Sequence, residues 1–181
     1  MKILRKMLSL LRGEQNINKL IKRGLKIGKN CNLGSCTIDP SHCFHISIGD
    51  NVTFGPRVHI LAHDASTHVF LGYTRVANVK IGNNVFIGAY SIVMPGVNIG
   101  DNVVIGAGSI VTRDIPTNSV AIGSPAHVVK TLDEYLEDKR KEMATDNKFS
   151  DEYTFRNHNF NELQRNEMKE ACRQHGQIYV K

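Results

Sequence analysis

Tryptophan is absent from the 181 residues, and aromatic side chains make up only 7%. No basic patch interleaved with aromatics occurs, which argues against a nucleic-acid partner. Cysteine is scarce and irregular. Cys31, Cys36 and Cys43 cluster, Cys172 is remote, and there is no CxxC pair. This spacing excludes a regular disulfide framework and reads as free thiols in a reducing cytoplasm. Long apolar runs are missing as well, so no membrane span is expected. The N-terminal "MKILRKMLSLLRGEQNINKLIKRG" carries charge inside its short apolar run and has no small-residue cleavage site, which makes it a poor signal peptide.

Positive charge is present but confined. Of the net +6, residues Met1–Asn30 hold nine Lys/Arg against one Glu, while the rest of the chain holds fourteen basic and sixteen acidic groups. Within that basic segment Ile3, Leu4, Met7, Leu8 and Leu11 fall on one helical stripe. The stripe is expected to pack on the body or a neighbouring subunit. Weak contact with an anionic membrane surface is the alternative. The protein is therefore expected in the cytoplasm, at most peripheral to the inner face of a membrane.

The dominant feature is a repeat. From Ile81 the chain divides into sixes: IGNNVF, IGAYSI, VMPGVN, IGDNVV, IGAGSI, VTRDIP. Earlier blocks, IGDNVT and FGPRVH from Ile48, and IGKNCN and LGSCTI from Ile27 and Leu33, keep the same form. The residue four after each aliphatic is two before the next, and residues two apart on a strand share a face. Each hexad thus gives a short strand with two inward residues and a corner. Gly beside the aliphatic suits a corner that needs φ > 0, and the nearby Asn and Asp tolerate the same region. Such strands coil into an all-β solenoid spanning 25–130. The segment 1–24 is a basic helical lead with a short helix over Ile17–Arg23. After Lys130 the hexads stop, and 131–181 reads as a helical tail. Its first helix opens on a Thr131–Glu134 capping box, its second ends at Gly176, and together they are candidates to cover an open end of the coil.

The hexads, "RVHILAHDAST" at Arg57–Thr67, "PGVNIGDNVVIGAGSIVTRDIP" at Pro95–Pro116 and "GSPAHVVK" at Gly123–Lys130 resemble the hexapeptide-repeat acyltransferases. Within that family the likeness is to sugar and capsular or lipopolysaccharide O-acetyltransferases of the maltose and galactoside branch. The resemblance implies a left-handed parallel β-helix, an acetyl-CoA co-substrate with no required metal, a carbohydrate acceptor, and a homotrimer with active sites between subunits.

One large interruption, roughly 61–78, breaks the repeat, and insertions are where solenoids carry function. It holds His63 and His68; His59 still belongs to the wall. Imidazole titrates near working pH, as a general base must. The resemblance places the family's catalytic histidine at His63, where coil gives way to loop. It also implies an oxyanion contact near Ala89, and coenzyme A contacts at Ala89, Ala107, Thr112, Arg113 and Lys130, the last two for phosphates. His127 stands where the family often has Arg or Lys. His68 is a candidate acceptor contact. Asp64 could orient His63, contact the acceptor or close an Asx-turn. The coil before His63 reads Gly34–Ser35–Cys36 where some relatives carry Asn, so no acceptor residue is carried over there.

Three other readings stay open on sequence. One is an N-acetyltransferase for an amino sugar, amino acid or antibiotic. Another is a γ-carbonic-anhydrase-like zinc protein using His63 and His68, although its third ligand is lacking because His42 and His45 lie about twenty residues back in a different phase. The last is a non-catalytic scaffold.

Overall fold

The computed structural model describes residues 15–143 and 147–181. The N-terminal stripe from Ile3 to Leu11 lies outside the described residues. The chain forms two compact units, divided between Leu132 and Asp133.

The first unit is a coil of short parallel strands arranged in three sheets. Helix α1 (Ile17–Lys22) precedes it, capped by Asn16, whose side chain accepts from the Lys19 N–H. One sheet stacks β1 (Lys26–Ile27), β3 (Ile46–Ile48), β8 (Val79–Ile81) and β11 (Asn98–Ile99). A second stacks β2 (Thr37–Ile38), β5 (His59–Ile60), β10 (Ile92–Val93) and β13 (Ile110–Val111). The third stacks β4 (Thr53–Phe54), β9 (Val85–Ile87), β12 (Val103–Ile105) and β14 (Ser119–Gly123). On the last, β15 (Ala126–Thr131) closes an antiparallel hairpin.

Register explains the repeat. Ile81 lies against Ile99, Ile87 against Ile105, and Val93 against Val111, each eighteen residues apart and hence three hexads per coil. Inward aliphatics form ladders whose members are essentially inaccessible to water, including Ile38, Ile60, Ile81, Ile87, Val93, Ile99 and Ile105. The middle residue of Val85–Phe86–Ile87 faces out, as the spacing requires. Across the insertion the interval grows to thirty-three, with Ile48 against Ile81 and Ile60 against Val93. The fifteen extra residues leave the wall without shifting the ladder.

The glycines differ from expectation. The Gly that follows each hexad aliphatic from Ile48 onward has ordinary negative φ. Positive φ falls two residues later, at Asn51, Arg57, Asn84, Tyr90, Gly96, Asn102, Gly108 and Asn118. The glycines are needed for close stacking instead. A Cβ at Gly100 would lie 2.6 Å from the Thr117 backbone N, and one at Gly55 would lie 2.5 Å from the Ala89 N. Asn is favoured at the left-handed corners for two reasons. It tolerates that backbone, and its amides form a ladder from Asn51 to Asn84, Asn102 and Asn118, each step 2.9 Å. Gly100→Ala is expected to force two coils apart and cost about 1–3 kcal/mol. A thermal melt checks this, and an unchanged midpoint would contradict the stacking role.

Cysteines are free thiols. Burial pushes the Cys36 thiol up to about 11, leaving it an inert core residue. The second unit contains most of α3 (Leu132–Glu142), a two-stranded parallel sheet of β16 (Lys148–Phe149) and β17 (Tyr179–Val180), and α4 (Glu162–His175). Helix α4 opens on a capping box of Asn161 and Gln164 and ends at Gly176, where the sequence placed its end. Among the described residues no helix is long and apolar enough to cross a membrane.

Candidate active site

Two strands leave and re-enter the wall at the insertion. β6 (His63–Asp64) runs antiparallel to β7 (Arg75–Val76), with His63 opposite Val76 and Asp64 opposite Arg75. Between them lies a single helical turn, α2 (His68–Leu71), closed by Gly72 in the left-handed region. The neck is pinned from several sides. Ala77 N–H donates to the Ala62 carbonyl, and the Arg75 guanidinium donates to the Pro95 carbonyl at 3.1 Å.

The strongest restraint comes from one coil earlier. Because Thr37 lies against His59 and Ile38 against Ile60, Asp39 follows its ladder into the place beside Leu61. Asp39 is 1% exposed. One carboxylate oxygen, Oδ1, accepts from the Ser41 and His42 backbone N–H groups, each at 3.0 Å. The other, Oδ2, accepts from Ala62 N–H at 3.1 Å and from His63 Nδ1 in a short bond. Burial alone would raise this carboxyl. The bonds from His63 and from the His42, Ala62 and Ser41 backbones outweigh it and hold the group below its ordinary range. Asp39 is therefore an ionised acceptor. An ionised acceptor at Nδ1 requires the proton there, and in the neutral ring that leaves the lone pair on Nε2. The His63 side chain is 33% exposed. Chemically, such an arrangement can accept a proton with its orienting carboxylate already in place.

The sequence reading missed Asp39 and assigned the orienting role among candidates to Asp64. Asp64 instead closes an Asx-turn with Ser66 N–H at 2.9 Å, and that bond is the chief reason its carboxyl is lowered. His42 also stands corrected. The 3-10 turn Cys43–His45 interrupts the hexads, with Cys43 buried in the core, so counting sixes through it gives the wrong phase. The His42 ring lies 4.9 Å from the His63 ring. His45 Nδ1 is 2.7 Å from Asn78 Oδ1. One segment, Asp39–His45, thus braces both ends of the insertion.

His68 begins α2, exposed, with its Nδ1 3.5 Å from the Thr74 hydroxyl. It is not brought to His63 as a metal partner. Among the described residues the atoms that could share an ion are those of Asp39, His42 and His63. The other site candidates divide between two corners. Thr112 and Arg113, both exposed, follow β13 on the corner where Leu61 and Met94 also turn, linked by Leu61 N–H to Val93 O and Met94 N–H to Val111 O. Ala89 and Ala107 stack on the corner after β9 and β12, where Gly108 N–H donates to the Ala89 carbonyl at 2.8 Å. Lys130 pairs with Val120 on the β14–β15 hairpin. Val69, Phe70 and Leu71 in α2, and Tyr73 just past it, are largely bare.

Known proteins resemble this chain in sequence and fold. The family model described as bacterial transferase hexapeptide (six repeats) matches residues 78–113. Protein CapG of Staphylococcus aureus is 41% identical over 134 residues, 71% of this chain and 78% of that protein. A maltose O-acetyltransferase from Clostridium difficile 630 is 34% identical with a TM-score of 0.52, covering 70% of this chain and 83% of that one. A galactoside acetyltransferase solved in complex with coenzyme A is 30% identical with a TM-score of 0.51, covering 74% and 82%. Hexads in register and relatives at this identity over most of their length establish that the chain belongs to the hexapeptide-repeat acyltransferases.

Proposed function

We propose that this acyltransferase moves an acetyl group from acetyl-CoA directly to a sugar hydroxyl, on a capsular or lipopolysaccharide-type glycan or its precursor. The observation that carries the reading is the Asp39–His63 pair, with Nδ1 committed to a buried carboxylate and Nε2 left free at the mouth of the insertion. Relatives with maltose and galactoside acetyltransferase in their names, one of them holding coenzyme A, support the donor and the acceptor class.

His63 Nε2 takes the proton from the acceptor hydroxyl as its oxygen attacks the thioester carbonyl. Asp39 stabilises the imidazolium that forms. A backbone N–H near Ala89 holds the oxyanion. On collapse, the His63 proton passes to the departing coenzyme A thiolate, and the base is restored. Ala89 and Ala107 admit the extended pantetheine arm closely, Thr112 contacts it, and Arg113 and Lys130 receive phosphates. Asp64 and His68 face the acceptor from the insertion.

His63 and the two alanines lie at different corners of the solenoid, so one chain alone leaves the machinery divided. A homotrimer of left-handed coils, with each site shared by two subunits, would join them and cover the bare tip at Val69–Tyr73. Light scattering is expected to give three times the chain mass, and a fully active monomer would remove the shared site. The proposed setting is the cytoplasm.

The direct test is acetyl-CoA consumption against a panel of glycans. Thioester loss should depend on a sugar acceptor, and the product should lose its acetyl group in mild base, as an ester does and an amide does not. Transfer to amines alone would overturn the O-acetyl reading.

A further inference from the structure

Base catalysis does not use everything gathered at Asp39. One ligand atom each from Asp39, His42 and His63 lies within 4.8 Å of the other two. The His42 Nδ1 is shielded from water and lacks a hydrogen-bond partner among the described residues, yet it lies 3.9 Å from Asp39 Oδ1. A buried polar atom left unpaired demands an explanation.

We propose that Asp39, His42 and His63 form an inhibitory binding site for a transition-metal dication, with Zn2+ the best match. Two imidazoles and one carboxylate are a borderline donor set, which suits Zn2+ better than Mg2+ or Ca2+. Three protein ligands with a fourth position open form the usual exchangeable zinc arrangement. With metal–ligand bonds of about 2.0–2.2 Å, the ligand atoms of a tetrahedron stand roughly 3.4 Å apart. The His42 nitrogen must therefore close in slightly, and the Asp39–His63 pair must open. Both rings can move, since each side chain is about a third exposed, at 30% and 33%. The carboxylate stays fixed by the Ser41, His42 and Ala62 backbone donors, the outer shell that metal ligands need.

The consequence for catalysis rests on His63 being the base; binding itself does not. The metal takes the Nδ1 lone pair, and the Zn–O bond to Asp39 replaces the hydrogen bond. The single proton of the neutral ring then resides on Nε2, so no lone pair remains to accept the acceptor's proton. The metal-free enzyme is the active form, and the ion is a stop rather than a cofactor.

Full-length enzyme, stripped with chelator and desalted, is titrated with Co2+ and with Zn2+. One equivalent of Co2+ should give the visible absorption of a tetrahedral nitrogen and oxygen site. It should lack the near-ultraviolet thiolate band that cysteine would add, and Zn2+ should bleach the signal. Zn2+ should also stop acetyl transfer, with chelator restoring it. Loss of even an outer partner typically costs 10–100-fold in affinity. His42→Ala should therefore raise the half-inhibiting Zn2+ concentration about a hundredfold, measured against that variant's own metal-free turnover. His63→Ala should lose the cobalt spectrum with its circular dichroism unchanged. No cobalt signal, or equal Zn2+ affinity in His42→Ala, overturns the proposal. A signal that depends on His42 with turnover untouched by Zn2+ overturns the inhibition and the role of His63 as base, while the binding site stands. The spectroscopic arm needs no acceptor, so an unidentified sugar cannot mask its result.

Discussion

His63→Ala is expected to lower kcat by about 10²–10⁴, the usual contribution of a positioned general base, while acetyl-CoA binds almost as tightly as before. In free energy that loss is roughly 3–5 kcal/mol of transition-state stabilisation. The expectation separates kcat from affinity because of where the residue lies. His63 is on the neck of the insertion, whereas the residues proposed to hold coenzyme A are on the wall, at Ala89 and Ala107, and at Thr112, Arg113 and Lys130. Truncating the ring also removes nothing from the core ladders, since the side chain is a third exposed and His63 is not among the buried core residues. Steady-state kinetics with isothermal titration of acetyl-CoA read both quantities. Unchanged kcat would mean another group takes the proton, and a matching loss of acetyl-CoA affinity would mean His63 binds the donor instead.

Asp39→Asn should approach the same loss in turnover, about a hundredfold or more, without touching either substrate. The amide is nearly the same size, so the cause is electronic. A neutral amide cannot stabilise the imidazolium. If its NH2 faces His63 it pairs with the Nδ1 lone pair and drives the ring proton to Nε2, the wrong tautomer for a base. There is a stability cost as well. Asp39 accepts from Ser41, His42 and Ala62 N–H groups, and an amide NH2 among these donors leaves polar groups unpaired at about 1–3 kcal/mol. A melting temperature lower by a few degrees is expected, with the coil still folded. The pH dependence gives a second readout. The folded Asp39 carboxyl lies below its ordinary 3.8, so its contribution to stability is whole above that value. It is lost as the pH falls through the lower folded value. Asp39→Asn should weaken that acid limb. Wild-type turnover in the variant would reduce Asp39 to a structural turn residue.

The wall was legible because its rule is local and strict. An aliphatic every sixth residue sets strand, corner and ladder at once, and Ile81 through Val111 keep the period without a slip. The glycines were legible as special but for the wrong reason. Sequence marks a residue that must be small, and only the distance from Gly55 to the next coil at Ala89 shows that stacking, not a left-handed φ, demands it. His63 was legible through the motif around it and its place at the break. Asp39 was not, because "IDPSHCFHIS" stretches the interval from Ile38 to Ile46 to eight residues and hides the phase. The same stretch concealed His42, whose approach to His63 depends on the 3-10 turn at Cys43–His45.

A double-mutant cycle tests the Asp39–His63 unit most directly. Turnover is compared among wild type, His63→Ala, Asp39→Asn and the double variant, with acetyl-CoA affinity followed in each. If Asp39 acts only through the imidazole, Asp39→Asn should cost its hundredfold in the wild-type background and almost nothing once His63 is gone. Losses that multiply in the double variant would show two independent contributions, and the braced histidine would no longer account for the chemistry.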